Sequence, residues 1–291
     1  MTDGREQGGD GTGEAPFTLL APAAPGPFVF ASPHSGDVYP AAMGTAAGLD
    51  PASLRSAEDA LVDRLIAPGQ AGGATLLLGR LGRAFVDLNR SPDELDPALI
   101  EGLDGRTPSP RAAAGYGVIP RLTGDGHPLY DRRLGAGEAA SRIARVHAPY
   151  HAALDGLMQA AQARHGVALL IDWHSMPSRA TRGAGGARGP DVVLGDRHGS
   201  SCSADLTRRL RRAFEALGWR VALNQPYSGG WTTRRWGRPA EGFHAVQIEL
   251  NRALYLDEAT LEPGIGWSRC AAGVARVIED LLADPPVPVR T

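Results

Sequence analysis

Unbroken apolar runs that end in polar residues punctuate the chain, and the stretches between them carry a three-to-four-residue apolar spacing. The clearest run, VALLIDWHSMPS from Val167, shows no alternation before Asp172 and His174. That pattern predicts a strand buried on both faces, as in the centre of a parallel sheet, with functional groups at its carboxyl end. Shorter runs at 28–31, 74–79, 83–88, 191–195, 219–223 and 244–250 predict further strands. In DPASLRSAEDALVDRLIAPG, Leu54, Leu61, Leu65 and Ile66 fall at helical spacing and Gly69 closes the segment, which predicts one helix. The longest helical stripe is Ile143, Val146, Tyr150, Leu154 and Leu157, closed by Gly166. SADLTRRLRRAFEALG predicts an amphipathic helix whose arginines form a solvated face, and 262–284 a closing helix. Alternating strands and helices imply an α/β sheet covered on both faces. The Gly-, Pro- and Arg-rich segment 102–128 reads as a long loop or flap, and 1–15 as a disordered tail before a single domain over 16–291.

Composition narrows the chemistry. With 291 residues and 43% hydrophobic residues, the chain can bury a large core. A formal charge of −2 gives no basic face for nucleic acid or a membrane surface, and no apolar run reaches spanning length. All 30 basic residues are arginine. This excludes a Schiff-base lysine, a P-loop lysine and a Ser–Lys dyad, and leaves arginine to hold any anion, which its planar fork does well for carboxylates. Two cysteines, Cys202 and Cys270, are too few for an all-cysteine zinc site or a disulfide framework. The polar start lacks the basic and apolar regions of a signal peptide, so a cytoplasmic protein is expected.

The polar residues at strand ends are His34 with Asp37, Asn89 with Arg90, Asp172 with His174, Asp196 through His198, and Glu249 with Asn251 and Arg252. Three N/O ligands and an open position make a catalytic zinc site, and a nearby carboxylate can serve as its base. His34, Asp37 and His174 could be the ligands and Glu249 the base. Each also has a plainer reading. SPHSGDVYP could be an ordinary turn, His174 a buried histidine bonded to a carboxylate, and Glu249 a partner of Arg252. A carboxylate inside VQIEL does require a partner or a cavity. HAPYH places His147 and His151 four apart on the long helix, but Ala148 replaces the glutamate of a zinc-protease signature, so one or both are expected in core or supporting roles.

Taken in order, SPHSG–YP, GRAFVDLNRSPDE, DWHSMP, VLGDRHGSSC, NQPYSGGWTTRRWGRP and HAVQIELNRALYLDE resemble the N-formylglutamate amidohydrolase family over residues 28–260. The family is in turn distantly similar to zinc carboxypeptidases. The resemblance implies a mixed, largely parallel sheet flanked by helices and hydrolysis of N-formyl-L-glutamate to formate and L-glutamate, late in histidine breakdown. It implies one Zn²⁺, or another divalent ion, on His34, Asp37 and His174, and Glu249 as general base. It places Arg83 at the oxyanion, and Asn89, Arg90 and Arg234 against a small N-acyl amino acid; His198 in GDRHG could contact the substrate or serve the loop structure. Arg235 departs from the pattern, where histidine is expected. The rivals are a hydrolase of another N-formyl or N-acyl amino acid, a non-catalytic carboxylate-binding protein of the same fold, and an amidase using Cys202 or Ser175. No Gly-x-Ser-x-Gly elbow supports the serine version.

Overall fold

The computed structural model describes residues 15–181 and 188–283. Apart from Ala15, the tail expected over 1–15 lies outside the described residues. Seven strands form one sheet: β1 (Phe17–Leu20), β2 (Phe28–Ser32), β3 (Thr75–Gly79), β4 (Ala168–Met176), β5 (Val192–Gly195), β6 (Val221–Leu223) and β7 (Phe243–Asn251). Their order is β1-β3-β2-β4-β7-β5-β6. The unbroken VALLIDWHSM run therefore occupies the fourth position, and all nine residues of β4 are buried. Strands β2 and β7 flank β4 and run parallel to it. β5 and β6 are parallel to each other, while β5 runs antiparallel to β7. The sheet is thus mixed and mostly parallel, as expected.

The helices are α1 (Pro51–Arg55), α2 (Val62–Ile66), α3 (Pro68–Ala71), α4 (Pro110–Ala113), α5 (Ala136–Arg142), α6 (Ala148–His165), α7 (Ala204–Ala216), α8 (Trp231–Trp236) and α9 (Trp267–Ala283). None is long and apolar enough to cross a membrane. The chain divides into two compact units, one of Met1–Thr18, Pro33–Glu58 and Leu78–Leu154, the other of Leu19–Ser32, Asp59–Leu77 and Asp155–Thr291. The second unit contains the sheet centre, where Trp173 and Phe30 meet edge to face at 5.8 Å.

Three sequence expectations change. The segment 51–69 is three short helices instead of one: α1 ends at Arg55, residues 56–61 are non-helical, and Leu61 opens α2 in a left-handed conformation at φ 65°. Residues 83–88 form turns instead of a strand. Asp87 donates its N–H to Val118, and its carboxylate accepts from the Asn89 N–H at 2.9 Å, so local side-chain bonding replaces a ladder. In the long helical segment, a π turn over Ile143–His147 joins α5 to α6. Val146, Tyr150 and Leu154 are buried as expected, but the next buried position is Met158, with Leu157 half-buried.

Candidate functional site

In the second unit, the register of β4 with β7 pairs Asp172 with Gln247 and His174 with Glu249. Paired residues of neighbouring strands share a face, so four polar side chains emerge together at the carboxyl end of the sheet centre. All four are buried. The His174 Nε2 lies 3.1 Å from Asp172 Oδ2, and its Nδ1 lies 2.9 Å from Asp59 Oδ2. Burial pushes the imidazolium toward losing its proton. Asp172 and then Asp59 oppose this more strongly, and hold His174 well above its ordinary value. Glu249 accepts a hydrogen bond from Gln247 Nε2 at 2.7 Å, which supplies the partner that a carboxylate inside VQIEL requires.

Asp59 is brought here by the break between α1 and α2. It is 1% exposed. Its Oδ1 is held by Arg252 at 3.2 Å and by the Ser175 hydroxyl at 3.3 Å, while Arg252 Nε donates to Ser175 at 3.1 Å. One oxygen is thereby fixed by protein donors, and the other faces His174.

The first unit has its own buried histidine. The His34 Nε2 lies 2.8 Å from Asp87 Oδ1, while Arg83 Nε donates to Asp87 Oδ2 at 3.0 Å and Arg90 Nε stands 3.7 Å away. Burial acts to raise the Asp87 pKa, but Arg83, Arg90 and His34 outweigh it and hold the carboxyl well below its ordinary value. The loop after Asp87 is anchored from behind: His151 meets the Leu88 carbonyl at 2.8 Å and His147 the Arg90 carbonyl at 2.9 Å. The HAPYH histidines therefore have the supporting role expected of them. The turn that carries His34 is tightly packed, since a Cβ on Gly36 would lie 2.4 Å from the Arg80 carbonyl carbon. Only glycine allows that approach.

His34, Asp59 and His174 are each buried, and each offers a ligand atom that could hold a metal ion. Two imidazoles and a carboxylate are a donor set suited to a catalytic zinc with one coordination position left for reaction. The surroundings fit as well. In both histidines Nε2 is directed at an aspartate, which makes Nδ1 the ligand nitrogen, and carboxylate-backed histidines of this kind are the usual support of metal sites. The acid in the group is Asp59. Asp37, expected from the His-x-x-Asp spacing, is exposed, because the turn packed around Gly36 leaves its side chain toward solvent. Asp59 escaped notice because it lies in what reads as a continuous helix. The available signal was its neighbour Glu58, an acid on the Leu54–Leu61–Leu65 stripe where an apolar residue belongs; Glu58 is buried and bonded to Tyr39 and Arg55.

A sequence profile described as N-formylglutamate amidohydrolase matches residues 26–256. The chain belongs to the N-formylglutamate amidohydrolase family. It is 34% identical over 260 residues to an N-formylglutamate deformylase of Pseudomonas aeruginosa, covering 88% of this chain and 91% of the relative. A deformylase of Pseudomonas putida is 34% identical over 189 residues, 64% of this chain and 66% of that one. The crystal structure of an N-formylglutamate amidohydrolase from Ralstonia eutropha superposes with a TM-score of 0.86 at 36% identity, over 92% of this chain and 97% of that one. By family, the chain is a hydrolase of amide bonds.

The remaining candidates of this amidohydrolase chain differ in setting. Asn89 and Arg90 are buried, and Arg83 is half-buried. His198 and Arg234 are exposed. His198 and its neighbour Arg197 both take left-handed conformations, at φ 58° and 52°. The turn is held by Asn224, whose side-chain oxygen accepts from the N–H groups of Asp196 and His198 at 3.1 Å each. Consecutive left-handed residues other than glycine cost conformational energy, and such positions concentrate at functional sites. Arg235 makes a two-pronged pair with Asp155, with contacts of 2.9 and 2.7 Å from Nη2. Cys202 is buried against Thr207, and burial pushes its thiol up to about 11. This works against a cysteine nucleophile at neutral pH. The Ser175 hydroxyl donates to Asp59 and accepts from Arg252.

Proposed function

We propose that the chain hydrolyses the formamide of N-formyl-L-glutamate to formate and L-glutamate, using one zinc ion held by His34, Asp59 and His174. Family membership supports the reaction. The observation that carries the mechanism is Glu249, a buried carboxylate placed by strand register beside His174. Zinc chemistry supplies Lewis acidity and ionisation of water at about pH 7.

The protein supplies the rest. Glu249 accepts a proton from the attacking water as the carbon–oxygen bond forms, then delivers it to the nitrogen as the carbon–nitrogen bond breaks, so the amine leaves neutral. Arg83 stabilises charge on the formyl oxygen. Asn89 and Arg90 hold a substrate carboxylate. Burial lowers the Arg90 pKa despite the nearby Asp87, and an incoming anion relieves that cost. Arg234 and His198 contact the substrate from the exposed rim. Release of glutamate suits a late step of histidine breakdown, and two free, buried cysteines suit a cytoplasmic protein.

The test is formate release over a panel of N-formyl and N-acetyl amino acids, with metal content measured on the same preparation. N-formyl-L-glutamate should give the highest kcat/KM and zinc should approach one per chain. Full activity after exhaustive chelation would refute the metal role. A higher kcat/KM for another acyl amino acid would refute the substrate. Glu249→Gln should keep its zinc and lose about 10²–10⁴-fold in kcat.

A further inference from the structure

Glu249 does not stand alone on β7. Gln247 is two residues earlier on the same face, is itself buried, and bridges two groups: its Oε1 accepts from the Gly230 N–H at 2.8 Å, and its Nε2 donates to Glu249 Oε1 at 2.7 Å. The orientation of this amide is fixed by chemistry. A backbone N–H can only donate, so the amide oxygen must face Gly230 and the NH₂ must face Glu249. Gly230 is the residue before α8, the short helix that carries Arg234.

We propose that Gln247 is the positioning residue of the general base. It holds one oxygen of the Glu249 carboxylate by a charge-assisted hydrogen bond and so sets the plane of the carboxylate. It also ties the orientation of Glu249 to the start of α8, so that base and substrate-side helix are set by one amide. The sequence carries the pattern as Gln-x-Glu in VQIEL, whose period of two places both side chains on one face. This rests on the reading of Glu249 as the base.

Two variants separate donation from packing. Gln247→Glu keeps the shape and the acceptor for Gly230, but as a carboxylate it repels Glu249, and as an acid it shares the proton that Glu249 must accept. Gln247→Met keeps the volume and loses both bonds. Both should retain zinc and bind substrate with KM within about twofold of the parent, while kcat falls on the order of 10–100-fold, the scale of a small misplacement of a reacting group. A crystal structure of Gln247→Met should show the Glu249 carboxylate turned from its parent orientation. Parent-like kcat in Gln247→Glu would overturn the proposal, and so would an unmoved Glu249 in Gln247→Met. Should the parent enzyme release no formate from any formyl amino acid, the proposed function fails, and the crystal comparison still decides the role of Gln247.

Discussion

The two histidines proposed as ligands, His34 in one unit and His174 in the other, are supported alike but lie in different charge surroundings. Each directs Nε2 at a buried aspartate, Asp87 for His34 and Asp172 for His174. Asp87 is already held by Arg83 and Arg90, whose charges outweigh its burial. His174 instead lies between two carboxylates, Asp172 and Asp59, and they keep a proton on it against the cost of burial. The difference teaches what each half asks of a ligand. The His34 side is a finished ion-pair cluster that fixes an imidazole in place. The His174 side favours positive charge, which a proton satisfies in one state and a divalent cation in another, so metal binding there should release a proton.

The largest test of this contrast is Asp59→Ala. It removes a proposed ligand and strands Arg252 in the interior, so metal should be lost and stability should fall by about 3–5 kcal/mol, the usual cost of breaking a buried pair from one side. Metal analysis and urea unfolding read the two effects separately; a variant with parent-like metal content would remove Asp59 from the site. Asp172→Asn is the next step down. It keeps the shape beside His174 and removes the charge, and zinc affinity measured against a competing chelator should weaken about 10–100-fold. Unchanged affinity would mean that the two histidines are not distinguished by their charge.

Asp87→Asn tests the other side by pH. A carboxyl whose folded pKa lies below its ordinary value of 3.8 stabilises the fold above about pH 4, and the contribution disappears as pH falls through the depressed folded value. The variant should therefore be less stable than the parent at pH 7, with the gap in urea midpoint closing in acid. A gap that stays constant with pH would show that Asp87 contributes by packing and not by charge. The smallest effect is expected at Arg235, whose partner Asp155 is as exposed as itself, about 40% each. Arg235→Ala should change stability by no more than ~1 kcal/mol and leave KM unaltered, since its guanidinium is engaged with Asp155. A large rise in KM would return Arg235 to the substrate site.

Most of the sheet was legible because its central strands are buried on both faces and so appear as unbroken apolar runs. His34, His174 and Glu249 were legible for a related reason: each closes or follows such a run, where α/β sheets collect their ligands. Asp59 was not, because helical spacing across 51–69 hides the non-helical stretch between Arg55 and Val62 in which it lies. Gln247 was visible as a letter two places before Glu249, but its role depends on the N–H of Gly230, seventeen residues earlier.

The sequence by itself determined the α/β class, the central strand, the arginine-only handling of anions and the family. These follow from local apolar patterning, composition and a set of ordered motifs. The tertiary structure decided which acid joins the two histidines, which aspartates brace them, and which amide aims Glu249. Those choices depend on distances between residues far apart in the chain, which no local periodicity records.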